Sequence, residues 1–225
     1  MDNYLYISKA KVESMLPQVP HSPRSKVGLS FDVNVGVAKA GVKTEGDTGL
    51  KDDPISRLLI VDNYVRANCN IGSMDLPDEW IEDTLEARVT YADGERRSVV
   101  LFVGRTEART RWALGGSAAH LMSRVNAPGT DIGWSFMPDL LQSLKSMAKQ
   151  FEKEPPGEPF LERSFHINTE SMEEEWTDYV TEIVKMTTQE PPITVKFLAR
   201  RIFTGQHRHQ GHRVVLATPL YVIQT

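Results

Sequence analysis

The sequence predicts an α+β fold, a mostly antiparallel sheet with about four helices packed on it, in a single domain over residues 1–225. Three observations lead there. The stretches from Leu29 to Val37 and from Leu85 to Tyr91 alternate apolar and polar residues, the period of a strand with one wet face. Asp93-Gly94, a favoured pair for a tight hairpin turn, separates the second stretch from the apolar run Val99 to Val103. Apolar residues recur at helical spacing in two long stretches, one from Leu140 to Phe151 and one from Trp176 to Ile183. Helices and strands do not alternate regularly, so a doubly wound parallel sheet is set aside.

The elements follow in chain order. Tyr4 to Ser8 reads as a short strand. Lys9 to Leu16 reads as two helical turns with Val12, Met15 and Leu16 inward. Pro17, Pro20 and Pro23 then hold the chain extended. After the strand at Leu29 to Val37 comes a polar loop over Gly41 to Gly49.

Asp53-Pro54 begins a helix. The aspartate can cap it, and proline suits the first helical position because its missing N–H had no partner to lose. Ile55, Leu58, Leu59 and Val65 form the stripe, and the helix ends over Asn68 to Gly72. Val99 to Val103 is apolar on both faces and belongs at the centre of the sheet. Gly104 and the charged stretch from Arg105 to Arg111 interrupt it, and Gly115-Gly116-Ser117 opens a short helix carrying Leu121, Met122 and Val125.

A longer helix starts near Pro138 and stops at Glu154-Pro155-Pro156-Gly157. The Pro-rich stretch 154–159 is the best linker candidate, though the helices beside it need a shared core. Ser171 and Glu174 make a capping box for a helix burying Trp176, Tyr179, Val180 and Ile183, with Glu173 to Glu175 favoured by the helix dipole. Two strands close the chain, Ile193 to Phe203 and Val214 to Ile223. Pro219 marks an edge or a bulge in the second.

Composition bounds the function. A chain of 225 residues buries roughly 70% of its unfolded surface on folding, enough for a core without disulfides or metal. The balance of 26 basic and 30 acidic residues, a net charge of −4, argues against general nucleic-acid binding, which rests on a basic face. A single cysteine, Cys69, fits a reducing, cytoplasmic compartment. No basic and apolar leader opens the chain, and its apolar runs are too short to span a bilayer.

Three ordered segments resemble an uncharacterised bacterial protein family, a domain of unknown function. They are Tyr4-Leu5-Tyr6-Ile7-Ser8 with Lys11-Val12 and Leu16-Pro17-Gln18, then Gly104-Arg105-Thr106 leading to Leu114-Gly115-Gly116-Ser117, and finally Ala217-Thr218-Pro219-Leu220-Tyr221-Val222. Glu13-Ser14 before Met15 departs from the pattern. The resemblance implies a bacterial cytosolic protein and carries over no activity, cofactor or catalytic residue.

Two candidate sites stand out. Gly104, Arg105, Arg109, Gly115, Gly116, Ser117 and His120 combine glycines that admit close approach, arginine forks and a helix start, the parts of an anion pocket. They lack the P-loop and dinucleotide spacings, and the plainer reading is a hairpin tip with solvated arginines. His207, His209 and His212 have a spacing that can present imidazoles to a metal, but Arg208 and Arg213 would repel a cation, and a solvated loop is the plainer reading.

Ser117 and His120 could suggest a nucleophile and base, although a serine there more simply caps. Asp32 and Asn34 share a strand face that solvent normally covers. Arg200-Arg201 puts one charge on each side of a strand, so one of them should pair with an acid or line a pocket.

The leading functional reading is a binding or sensor module, without enzymatic activity, for an anionic small molecule, nucleotide-like, or for a partner protein. One alternative is a phosphoester or nucleotide hydrolase using Ser117, His120 or a histidine-held metal. The other is a subunit of a larger assembly, joined through the strand at Leu29 to Val37 or through a terminal edge strand.

Overall fold

A computed structural model of the chain describes residues 3–20, 53–91, 99–122, 169–187, 191–207 and 210–225. The strand expected at Leu29 to Val37, the Asp93-Gly94 turn, the helix from Pro138 and the 154–159 linker lie outside them. So do Asp32, Asn34 and His209. The chain divides into two compact units, one of residues Lys9–Cys69 and one of Met1–Ser8 with Asn70–Thr225.

The smaller unit holds α1 (Lys9–Met15), a 3-10 turn at Leu16–Gln18 and α2 (Pro54–Asn68). The start of α2 is the one its residues specify. Asp53 is extended, its carboxylate accepts the Ser56 N–H at 3.2 Å, and Pro54 takes the first turn. Its buried stripe is Leu58, Ile60, Val61 and Val65, whereas Ile55 and Leu59 are each 37% exposed.

The larger unit is built on β1 (Asn3–Ile7), β2 (Ile71–Gly72), β3 (Trp80–Tyr91), β4 (Val99–Arg105), β5 (Arg111–Ser117), β6 (Ile193–Gln206) and β7 (Arg213–Gln224). The helix α3 (Thr169–Met186) comes before β6. The sheet is mostly antiparallel, but it is not an open layer with about four helices on it. It closes into a five-stranded barrel, and the described residues hold three α-helices.

Closure comes from long-range pairing. β3 pairs with β4 over Arg88 to Tyr91 and with β6 over Trp80 to Ala87, β6 pairs with β7 along its length, and β7 runs parallel to β5. β1 continues β5's edge beside the second half of β7, and β2 lies parallel to the start of β3. β7 is therefore an interior strand with partners on both sides, which corrects the expectation of a terminal edge strand. The expected irregularity at Pro219 is a bulge. The register against β6 passes from Leu198–Tyr221 to Ala199–Pro219, and the skipped Leu220 accepts the Ser8 N–H at 2.8 Å.

Taken alone, the barrel strands run first, second, third, fifth, fourth and back to the first, with a helix between the third and fourth. That is the strand order of the OB-fold, a five-stranded Greek-key barrel.

Alternation along the strands makes two cores. Val100, Phe102, Trp112, Leu114, Phe197 and Val215 point into the barrel, where Trp112 and Phe197 lie 5.6 Å apart. Val99, Leu101, Val103, Ala113, Val214 and Leu216 point outward, beneath Val180, Ile183 and Val184 of α3. This explains why Val99 to Val103 is apolar at every position: β4 is buried on both faces. Met74, fully buried, belongs to the barrel core and ties its N–H to the Asp83 carboxylate at 3.0 Å.

Candidate functional site

The residues Gly104 to His120 form a hairpin and its continuation, not a glycine-rich opening of a helix. β4 and β5 pair from Val99–Ser117 to Arg105–Arg111, so Gly115 and Gly116 are ladder residues inside β5. The reason lies far away in the chain. A Cβ on Gly116 would collide with the ring of Tyr6 on β1, and one on Gly104 would come within 2.7 Å of the Trp112 ring. Both glycines are packing positions, each letting a large aromatic side chain lie on bare backbone.

Ser117 caps only a single 3-10 turn, Ala118–His120, with its hydroxyl 3.4 Å from the Ala119 N–H. His120 is buried and its Nδ1 meets the Tyr6 hydroxyl at 3.3 Å. Each side chain has another engagement, Ser117 as a cap and His120 with Tyr6. Burial raises the Tyr6 hydroxyl pKa above its ordinary value, against weaker opposing hydrogen bonds from Ser8 and the Ser117 backbone, which leaves Tyr6 a neutral structural group.

The hairpin tip is fixed. The Thr106 hydroxyl donates to the Asp75 carboxylate at 2.6 Å and accepts the Thr110 N–H at 3.1 Å, while Arg109 adopts φ 69° at the turn. Arg213 donates to the Asp75 carbonyl. Arg200 pairs with Glu79 at 3.2 Å, and Arg201 donates to the Pro77 carbonyl at 3.1 Å, so Arg200 is the one that meets an acid.

What the structure brings together is a different set. On the face that α3 covers, the outward positions of four neighbouring strands run Val103–Arg105, Ala113–Arg111, Val214–His212 and Phe203–His207. Beyond the apolar core, the same face therefore ends in a row of Arg105, Arg111, His212 and His207. Arg105 pairs directly with Arg111 and His207 lies opposite His212, whereas His212 stands two residues before Val214, the register partner of Arg111.

Helix α3 runs beside this row. Asp178, Thr181, Glu182 and Lys185 share one stripe at three- and four-residue spacing. Asp178 lies 3.4 Å from His207 Nε2, and the Thr181 hydroxyl 3.1 Å from His212 Nε2. Glu182 pairs with Lys185 and acts on Arg111 through its charge.

The turn joining β6 to β7 is closed by His207 N–H to the His212 carbonyl at 2.9 Å and Gly211 N–H to the His207 carbonyl at 2.8 Å. Gly211 has φ 64°, a left-handed conformation that favours glycine. His207 Nδ1 accepts the Gln210 N–H at 3.3 Å, and its Nε2 faces Asp178.

Two charge effects define the row. Burial is the main cause that lowers the Arg111 pKa; the neighbouring Arg105 adds to the shift and Glu182 opposes it. Burial also pushes His212 down to about 4, helped by the charges of Arg111, His207 and Lys185, so this imidazole is neutral at pH 7.

Arg111 Nη2 donates to the Gln210 side-chain oxygen at 3.0 Å. Arg111 Nη1 is buried and has no hydrogen-bond partner among the described residues. A buried guanidinium donor without an acceptor is costly, and an oxyanion supplies the acceptor geometry that the fork matches. Among the described residues no three His, Cys, Asp or Glu side chains cluster as a metal site would require, and no helix is long and apolar enough to cross a membrane.

Sequence reading puts Arg105, Arg109 and Arg111 in one candidate and His207 and His212 in another without joining the two, and Arg109 lies at the hairpin turn rather than in the row. The missed signal is strand parity. Arg111 sits two before Ala113 and His212 two before Val214, so both extend apolar faces already recognisable in the sequence.

A family model described as a family of unknown function matches residues 2–225, in line with the resemblance read from the three segments. No curated protein and no solved structure matches the chain.

Proposed function

The chain belongs to DUF7019, a family of unknown function, and from its geometry we propose that it is a binding or sensor module for an anionic small molecule carrying a phosphate-like group. The group sits on Arg111, with Arg105 and His212 on either side. The observation that carries this reading is the buried Nη1 of Arg111, without a hydrogen-bond partner among the described residues, beside a second arginine directly across the strand pair. Arginine forks favour oxyanions over neutral ligands.

The barrel's strand order does not by itself argue for nucleic acid. OB-fold proteins receive oligonucleotides and oligosaccharides on the outer face of their second and third strands. In this chain those strands are β4 and β5, and their outer face lies beneath α3. The polar end of the face, at the row, is where this reading places a small ligand.

The test is a thermal-shift series with inorganic phosphate, pyrophosphate, ATP and citrate on wild type, Arg111→Ala and Arg105→Ala. At least one phosphate-bearing compound raises the melting temperature of wild type, and the rise is lost in Arg111→Ala and reduced in Arg105→Ala. Equal shifts in all three proteins, or none in wild type, overturn the proposal.

A further inference from the structure

We infer that the β6–β7 turn carries its own competitor for the anion site: the Gln210 side-chain oxygen holds the place on Arg111 that a ligand oxygen takes. This rests on the reading of Arg111 as the anion-binding residue and adds how the site is kept closed when empty. The geometry is specific. The Gln210 oxygen sits 3.0 Å from Nη2, one prong of the same guanidinium whose other terminal nitrogen, Nη1, is buried and has no partner among the described residues. A bidentate oxyanion across Nη1 and Nη2 uses the Nη2 hydrogen that faces Nη1; in this proposal the Gln210 oxygen takes this same hydrogen, so that the two compete for it.

The turn is built to present this residue and to let it go. The Gln210 N–H is held by His207 Nδ1, and the backbone reverses at left-handed Gly211, whose carbonyl is held by the Gln206 side chain at 3.0 Å. The backbone at Gln210 and Gly211 is thus anchored, while the Gln210 side chain is exposed. A neutral amide oxygen makes a weaker bond to a guanidinium than an anion does. Rotating an exposed side chain costs little, so an arriving anion displaces it without unfolding the turn.

The experiment is calorimetric titration of pyrophosphate into wild type, Gln210→Ala, Gln210→Glu and Arg111→Ala. Removing the competitor in Gln210→Ala tightens binding by roughly threefold to tenfold, the scale of the net gain from one ordinary hydrogen bond. Gln210→Glu places a permanent carboxylate on the fork and weakens binding by about tenfold or more. A merely structural role for Gln210 predicts the opposite sign for the alanine variant, because loosening the turn would weaken binding.

If Arg111→Ala abolishes binding while Gln210→Ala binds as wild type does or more weakly, the competitor is overturned and the anion site stands. If wild type and Gln210→Ala both fail to bind pyrophosphate, the site and the competitor fall together.

Discussion

His207 and His212 lie face to face at the two ends of the turn between β6 and β7, with ring centroids 4.8 Å apart and planes inclined by 29°. Both rings reach α3, one through Asp178 and the other through Thr181. The turn, the helix and the end of the strand row are thereby joined through two imidazoles.

The first prediction concerns pH. His212 has an ordinary pKa of 6.5 and is pushed down to about 4 in the fold. The unfolded chain therefore binds a proton that the folded chain refuses, and stability falls as pH drops. Its contribution is fully present above pH 6.5 and declines between 6.5 and 4. Urea denaturation across that window shows a falling midpoint for wild type and a shallower fall for His212→Gln. Parallel curves would remove His212 from the account.

Gly116→Ala tests the packing of β1 on the barrel. The new methyl meets the Tyr6 ring, and overpacking of this kind costs about 1–3 kcal/mol. Chemical denaturation measures the loss, and adding Tyr6→Ala to the glycine variant relieves the collision, so the two changes combine with less than additive cost. Strict additivity would mean that the two groups do not meet.

Met74→Ala opens a cavity in the barrel core, where Met74 has no exposed surface. Replacing a buried methionine by alanine costs about 2–5 kcal/mol. A denaturation midpoint unchanged from wild type would show that the loop before β3 does not seat in the barrel.

Thr106→Val keeps the shape of the side chain and removes the hydroxyl that bridges Asp75 to the Thr110 N–H. The expected loss is about 1–3 kcal/mol, together with faster amide exchange at Thr110. Unaltered exchange there would show that the hairpin tip does not depend on this bridge.

The local features of this fold were readable from neighbouring residues. Asp53-Pro54 specifies the start of α2, Val180 and Ile183 mark the buried stripe of α3, Val99 to Val103 reads as doubly buried, and Pro219 announces a bulge. Barrel closure was not readable, because pairing Trp80 with Arg200 and Arg111 with Val214 depends on residues about a hundred positions apart. β5 was misread for the same reason. Glycine is a poor strand residue, and what makes Gly116 necessary is Tyr6, at the other end of the sequence. The row of Arg105, Arg111, His212 and His207 required the strand register. Each member follows its own strand's alternation, but only the barrel sets the four side by side.

The most direct measurement is nitrogen-15 NMR of the arginine and histidine side chains during a titration with pyrophosphate. The account predicts saturable shifts concentrated on the Arg111 guanidinium, with smaller ones at Arg105 and His212, and none at Arg200, which Glu79 holds elsewhere. An unmoved Arg111 signal, or equal non-saturating drift at every arginine, would contradict it.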